Sequence, residues 1–226
     1  MSGTPRPAAV FFDLDGTLID TAPDFFRVMN QLRREEGRDL LTYETVRQWV
    51  SNGSKALIKM GFDLAENDPA FEPLRQRLLD LYLAGVAEES VLFPGFARLL
   101  DALDAADIPW GIVTNKPRRF SVPLLEQMGL QPRLSALVCA DDLPRTKPHP
   151  DPLLKAAQDS RVAPEESWYV GDHERDIQAG RAAGMRTIAA GYGYLEPDTV
   201  LMDWRADHAI QTADELYKLI FSQTDL

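Results

Sequence analysis

The chain has 226 residues, 45% of them hydrophobic and 26% charged, with a formal net charge of −11. This is ordinary globular composition, sufficient for one core domain carrying a modest insertion. A surface this acidic repels nucleic-acid backbones and anionic membranes, so neither is expected as a partner, and any anionic ligand needs local positive charge or a metal.

The opening segment from Met1 leads into residues 8–12, an apolar run broken by Asp13. It is too short for a signal peptide core or a membrane span. Flanked by turn residues and apolar on both faces, it reads as a buried parallel strand. From Asp20 to about Phe93 no strand is evident. Helical spacing dominates there, with Phe25, Phe26, Met29 and Leu32 on one face and Leu74, Leu78, Leu81 and Tyr82 on another. Pro23 suits a first helical turn, and Phe93-Pro94-Gly95 marks the return to alternation. Phe96, Leu99, Leu100 and Leu103 form the next helical face, followed by a strand over residues 108–113. Leu124, Leu125 and Met128 precede a helix stop at Gly129. Further strands are expected over 136–139, 168–170 and 187–190, and a last short one where His208 leads into Ala209-Ile210. Strand alternating with helix predicts a parallel sheet with helices on both faces. The expected division is a core of residues 1–19 and 94–226, with a helical cap domain of residues 20–93 inserted after the first strand. There are no internal repeats. Cys139 is the only cysteine and can form no internal disulfide; its apolar neighbours mark it as an inert buried thiol, consistent with a cytoplasmic location.

Chemistry-bearing residues cluster at the strand ends, where open α/β sheets bind ligands. After the first strand come Asp13-Leu14-Asp15-Gly16-Thr17. Two carboxylates two residues apart share a site if the chain leaves its pleat, which Gly16 makes cheap; an acidic turn after a strand is an equal reading. Thr114-Asn115-Lys116-Pro117 offers a hydroxyl and backbone N–H groups as a phosphate cradle, or a plain helix N-cap. Lys147 lies in the turn-rich Arg145–Pro150 loop, as a charge partner for phosphate and carboxylates or as a solvated lysine. Gly171-Asp172 ends the fourth strand, with Asp176 one helical turn later. These hard oxygen ligands suit Mg²⁺, or they complement a helix dipole.

Taken in order, Asp13-Leu14-Asp15-Gly16-Thr17, Thr114-Asn115, Lys147-Pro148 and Gly171-Asp172 with Asp176 resemble the haloacid dehalogenase-like phosphatase superfamily. The resemblance spans the chain. It implies a Rossmann-like α/β core and, because residues 12–21 match the subgroup with a cap after the first strand, the helical insertion as well. It also implies a phosphatase in which Asp13 is the nucleophile and Asp15 the general acid/base. Mg²⁺ would be held by Asp13, Asp172 and the Asp15 backbone carbonyl, with Thr114 and Lys147 holding the transferring oxygens and Lys147 stabilising Asp13. Asn115 would position backbone or substrate, and Gly171 and Asp176 would support the site.

Substrate choice is expected to lie in the cap, where Asn52, Gly53 and Lys55 form a polar, Gly-bearing turn that either closes over the leaving group or simply joins two helices. Trp49-Val50 with Asn52-Gly53 is similar to phosphoglycolate phosphatases. Residues 110–117, Arg119-Phe120 and Tyr192-Gly193-Tyr194 are similar to N-acetylmuramic acid 6-phosphate phosphatases. The expected partner is a small phosphomonoester, and the protein a monomer or homodimer. Tyr192, Tyr194 and Trp204 either line a rim or pack; no histidine is assigned chemistry; and the Lys147-Pro148 bond is a candidate for cis geometry. A dehalogenase or a phosphonate-cleaving enzyme has no need of Asp15. A sugar-phosphate mutase shares the motifs, and a catalytically dead binding protein would be free to lose Asp13, Asp15, Lys147 or Asp172.

Overall fold

The computed structural model describes residues 6–196 and 198–222; residues 1–5 of the opening segment lie outside the described residues. In chain order the strands are β1 (Ala9–Phe12), β2 (Ile19–Asp20), β3 (Val91–Leu92), β4 (Trp110–Val113), β5 (Ala136–Val138), β6 (Ser167–Gly171), β7 (Arg186–Ala190) and β8 (His208–Ile210). The α-helices begin with α1 (Ala22–Glu35), α2 (Tyr43–Arg47), α3 (Gly53–Phe62) and α4 (Phe71–Ala84). They continue with α5 (Phe96–Ala105), α6 (Arg118–Gln127), α7 (Asp151–Asp159), α8 (Glu174–Ala182) and α9 (Ala213–Phe221).

Six strands form one parallel sheet in the order β5-β4-β1-β6-β7-β8. All four residues of β1 are buried, because a parallel strand at the centre is covered on both sides. Alternation along it sorts the helices. Val10 and Phe12 face one core with residues of α5, α6 and α9, whereas Ala9 and Phe11 face a second core built with α7 and α8. Phe12 meets Phe96 edge to face, with centroids 5.8 Å apart. Helices therefore cover both faces of a Rossmann-like sheet.

The helices α1 to α4 lie between β2 and β3, two short strands that pair antiparallel as a separate ribbon, Ile19 opposite Leu92 and Asp20 opposite Val91. This ribbon is a feature the hydrophobic pattern does not announce. Its strands are two residues long, and Val91 is exposed. In α1, Pro23 and Asp24 occupy the first turn and Arg33 and Arg34 the last, a charge order that suits the helix dipole. Phe25 of α1 stacks on Tyr82 of α4 with ring centroids 4.2 Å apart. Tyr194 pins the segment's entry: its hydroxyl accepts from the Thr21 and Ala22 N–H groups at 2.7 and 2.9 Å and donates to Asp20 at 2.6 Å. Tyr192 donates to the Thr17 carbonyl at 2.9 Å. Both tyrosines thus pack and brace. Among the described residues no helix is long and apolar enough to cross a membrane.

Candidate active site

Asp13 follows β1 directly, and its N–H still bonds to the Val170 carbonyl of β6 at 2.9 Å. The strand thus delivers the carboxylate to the carboxyl edge of the sheet. Gly16 then turns the chain at φ +82°, and a Cβ there would run into the Asp172 carboxylate and the Tyr194 ring. Thr114 leaves β4 in the same way, its N–H bonded to Val138 at 2.9 Å. Asp172 leaves β6, and Asp176 sits in the first turn of α8, where it accepts the His173 N–H at 3.1 Å. A Cβ on Gly171 would overlap the Asp176 side chain, so this glycine lets the helix start crowd the strand end.

Lys147 binds these pieces together. Its Nζ lies 2.9 Å from Asp13 Oδ1 and 2.7 Å from Asp176 Oδ1. It also donates to the Val113 carbonyl at 2.9 Å and the Tyr169 hydroxyl at 2.7 Å. Its loop is held by Asn115, whose amide donates to the Lys147 carbonyl at 3.0 Å and whose oxygen accepts the Lys147 N–H at 3.1 Å. The Lys147-Pro148 peptide is cis.

Asp172 is fully enclosed. Thr17 donates to its Oδ1 at 2.9 Å, and the Tyr194 N–H and Ser51 hydroxyl donate to its Oδ2 at 2.9 and 3.1 Å. Burial, with the negative charges of Asp13 and Asp176, holds Asp172 above the usual carboxylate range. Burial raises Asp176 too, although Lys147 opposes it. The carboxylate oxygens of Asp13, Asp172 and Asp176 lie within 4.8 Å of one another. A buried cluster of three carboxylates offering hard oxygen ligands fits a divalent cation such as Mg²⁺.

Asp15 stands apart from that cluster. Its Oδ1 accepts from the Thr21 hydroxyl at 2.5 Å and pairs with Lys116 Nζ at 2.8 Å. Lys116 is buried, and Nζ lies 4.5 and 5.1 Å from the ring centroids of Tyr82 and Phe25. Burial alone would lower this ammonium; Asp15 and Tyr82 hold it above its ordinary value instead.

A cavity of about 420 Å³ opens over Asp13, Asp15, Thr114 and Asn115, and helices α1, α3 and α4 supply much of its other wall. Asn52, Gly53 and Lys55 line it. In this structure, however, Asn52 donates to Glu196 at 2.9 Å and Lys55 pairs with Glu66 at 2.8 Å. Lys116, Arg75, Arg119 and Arg175 also line it, and sequence reasoning assigned none of them a role. Lys116 was within reach of that reading, since it sits in the same motif as Thr114 and Asn115. The others become visible only when the chain folds. Trp204 lies in a second cleft of about 310 Å³, which shares Asn52 with the first and is also lined by Asp172, His173 and Glu196.

Residues 10–190 match the family model described as haloacid dehalogenase-like hydrolase. The chain is 40% identical over 215 residues to an N-acetylmuramic acid 6-phosphate phosphatase of Pseudomonas aeruginosa, covering 95% of each chain. It is 42% identical over 213 residues to a phosphoglycolate phosphatase of Xanthomonas campestris pv. campestris, covering 94% of this chain and 96% of that one. The crystal structure of a predicted phosphoglycolate phosphatase from Haemophilus somnus 129pt superposes with a TM-score of 0.83 at 25% identity, covering 96% of this chain and 99% of that one.

Proposed function

The chain belongs to the haloacid dehalogenase-like hydrolases, and on that premise we propose that it is a Mg²⁺-dependent phosphatase that hydrolyses a small phosphomonoester through a phospho-aspartate on Asp13. The observation that carries this reading is the convergence of Asp13, Lys147 and Asp172 at the carboxyl edge of the sheet, where Asp13 and Asp15 open onto one cavity.

Both short contacts to Asp13 fall on Oδ1, from Lys147 and from the Leu14 N–H at 2.7 Å. Oδ2 is left to meet the phosphorus atom. Asp13 attacks, the ester P–O bond breaks, and Asp15 gives its proton to the leaving oxygen. The same carboxylate then takes a proton from water as that water attacks the phosphoryl group, releasing inorganic phosphate and restoring Asp13. Thr114, buried and lining the same cavity as Asp13, supplies a hydroxyl to the transferring oxygens, and Lys147 balances their charge. Asn115 holds the Lys147 loop, and Asp176 pairs with the same ammonium. Asp13, Asp172 and the Asp15 backbone carbonyl would hold Mg²⁺, with Gly16 and Gly171 allowing the close approach. Bound there, the cation offsets the repulsion between carboxylate and phosphate.

In this reading residues 20–93 act as a cap on the core formed by 1–19 and 94–226, and Asn52, Gly53 and Lys55 face the leaving group. The two relatives supply two substrate readings, phosphoglycolate and N-acetylmuramic acid 6-phosphate. The buried free thiol of Cys139 accords with a cytoplasmic enzyme. A phosphate-release screen with Mg²⁺ over both compounds and hexose phosphates, ranked by kcat/KM, tests the assignment. Release of inorganic phosphate supports it, whereas isomerisation of a sugar phosphate with retention of the phosphoryl group would make the protein a mutase.

A further inference from the structure

Lys147 has one close neighbour with no part in the covalent chemistry. Tyr169 is the middle residue of β6, in the run Trp168-Tyr169-Val170. It shares with Ala9 and Phe11 the core that α7 and α8 cover. For packing alone a phenylalanine would serve there. The hydroxyl is what needs a reason, because a fully buried phenol oxygen persists only with partners. The cavity lining stops short of Tyr169, so whatever its hydroxyl does for the reaction it does through another residue.

An ammonium has three N–H bonds. Four oxygens surround that of Lys147: Asp176 Oδ1 and the Tyr169 hydroxyl at 2.7 Å, Asp13 Oδ1 and the Val113 carbonyl at 2.9 Å. One acceptor must therefore draw its proton from elsewhere. Val113 ends β4. In the ladder between β1 and β4 the Val10 N–H bonds to the Pro109 carbonyl. Four residues further along both strands the Leu14 N–H would reach the Val113 carbonyl in the same way, but it bonds to Asp13 Oδ1 at 2.7 Å instead. The Tyr169 hydroxyl lies 2.8 Å from the Val113 carbonyl and donates to it.

With that donation made, two ammonium protons go to carboxylates and the third goes to the phenol oxygen, a neutral acceptor. A phosphoryl oxygen can draw the third proton away without stripping the carbonyl of its donor. With phenylalanine at this position, the carbonyl would depend on the ammonium. Turning that N–H onto a phosphoryl oxygen would then leave a buried acceptor unmet, which is costly.

We propose that Tyr169 is a positioning residue for Lys147: its hydroxyl satisfies the Val113 carbonyl and so frees one N–H of the ammonium for a transferring phosphoryl oxygen. The inference rests on the reading of the chain as a phosphatase.

Tyr169→Phe removes one oxygen and keeps the ring. With Mg²⁺ and p-nitrophenyl phosphate, kcat is expected to fall by about tenfold while KM stays within about twofold. Inhibition by orthovanadate, which adopts the five-coordinate geometry of the transferring group, should weaken by about tenfold, and inhibition by inorganic phosphate by no more than about twofold. Replacing Tyr169 with 4-aminophenylalanine restores a donor at the same place, although its amine accepts poorly, and is expected to return kcat to within about threefold of wild type. A purely structural role would lower the unfolding temperature without separating vanadate from phosphate and without that recovery. Unchanged kcat in folded Tyr169→Phe, or equal weakening of both inhibitors, overturns the assignment. If Tyr169→Phe does not fold, the 4-aminophenylalanine enzyme decides: near-wild-type kcat supports the donor role, and a loss of about tenfold overturns it. Release of phosphate from none of the esters in the screen would overturn the phosphatase reading itself, a result distinct from turnover that Tyr169→Phe leaves intact.

Discussion

Lys116 Nζ lies 2.8 Å from Oδ1 of Asp15. The pair joins the loop after β4 to the loop after β1, and Phe25 and Tyr82 from the helical segment enclose the ammonium. The orientation of the proposed proton-handling carboxylate therefore depends on residues from three separate stretches of chain.

Lys116→Met removes that partner while keeping much of the side-chain volume. Asp15 is left with the Thr21 hydroxyl alone on Oδ1, and its carboxylate is free to swing. A displaced catalytic group costs up to about a hundredfold, so kcat is expected to fall by about tenfold to a hundredfold. Steady-state kinetics on the best substrate of the phosphate-release screen checks this, with thermal unfolding to confirm that the variant folds.

Ser51 is the corresponding link on the side of the proposed Mg²⁺ site, donating to Asp172 Oδ2 at 3.1 Å from the turn before α3. Removing a group that orients a metal ligand typically weakens metal binding by tenfold or more. Ser51→Ala is expected to raise the Mg²⁺ dissociation constant by about tenfold, as read by calorimetric titration of the purified protein. An unchanged constant would mean that the Tyr194 N–H and Thr17 hydroxyl orient Asp172 without help.

Gly16→Ala introduces strain and a clash together. The residue sits at φ +82°, which costs an L-residue about 1–2 kcal/mol, and the new methyl would enter the Asp172 carboxylate. A lowered unfolding temperature and weakened Mg²⁺ binding are expected in the same variant, by scanning calorimetry and titration.

Much of this architecture is legible in the sequence because β1, β4 and β6 are buried on both faces and so read as unbroken apolar runs. The acids and the lysine of the site follow those runs closely enough to be recognised. The β2–β3 ribbon is not legible, since two residues per strand carry no period and Val91 faces solvent. The pairing of Lys116 with Asp15 spans 101 residues, and that of Arg175 with Ser51 spans 124. No local pattern records either; only the topology brings them together. Lys55 lies in a polar turn that suggests a ligand, and in the folded chain it lines the cavity while pairing with Glu66.

Cys139 provides a check on packing away from the chemistry. Burial pushes its thiol up to about 11, so that roughly one molecule in a thousand carries the thiolate at pH 8. Folded protein is expected to resist iodoacetamide at that pH and to react promptly in denaturant, as followed by intact mass. Rapid labelling of the folded protein would show that the loop after β5 opens readily.

The most direct test of the covalent mechanism traps the intermediate. Asp15→Asn enzyme is mixed with Mg²⁺ and p-nitrophenyl phosphate, whose phenolate leaves without the proton that Asp15 would supply, then acid-quenched, and its peptides are mapped by mass spectrometry. A single phosphoryl adduct on the peptide carrying Asp13, absent when Asp13→Asn is combined with it, is the predicted result. Wild-type turnover by the Asp13→Asn enzyme, or an adduct on a different residue, would contradict it.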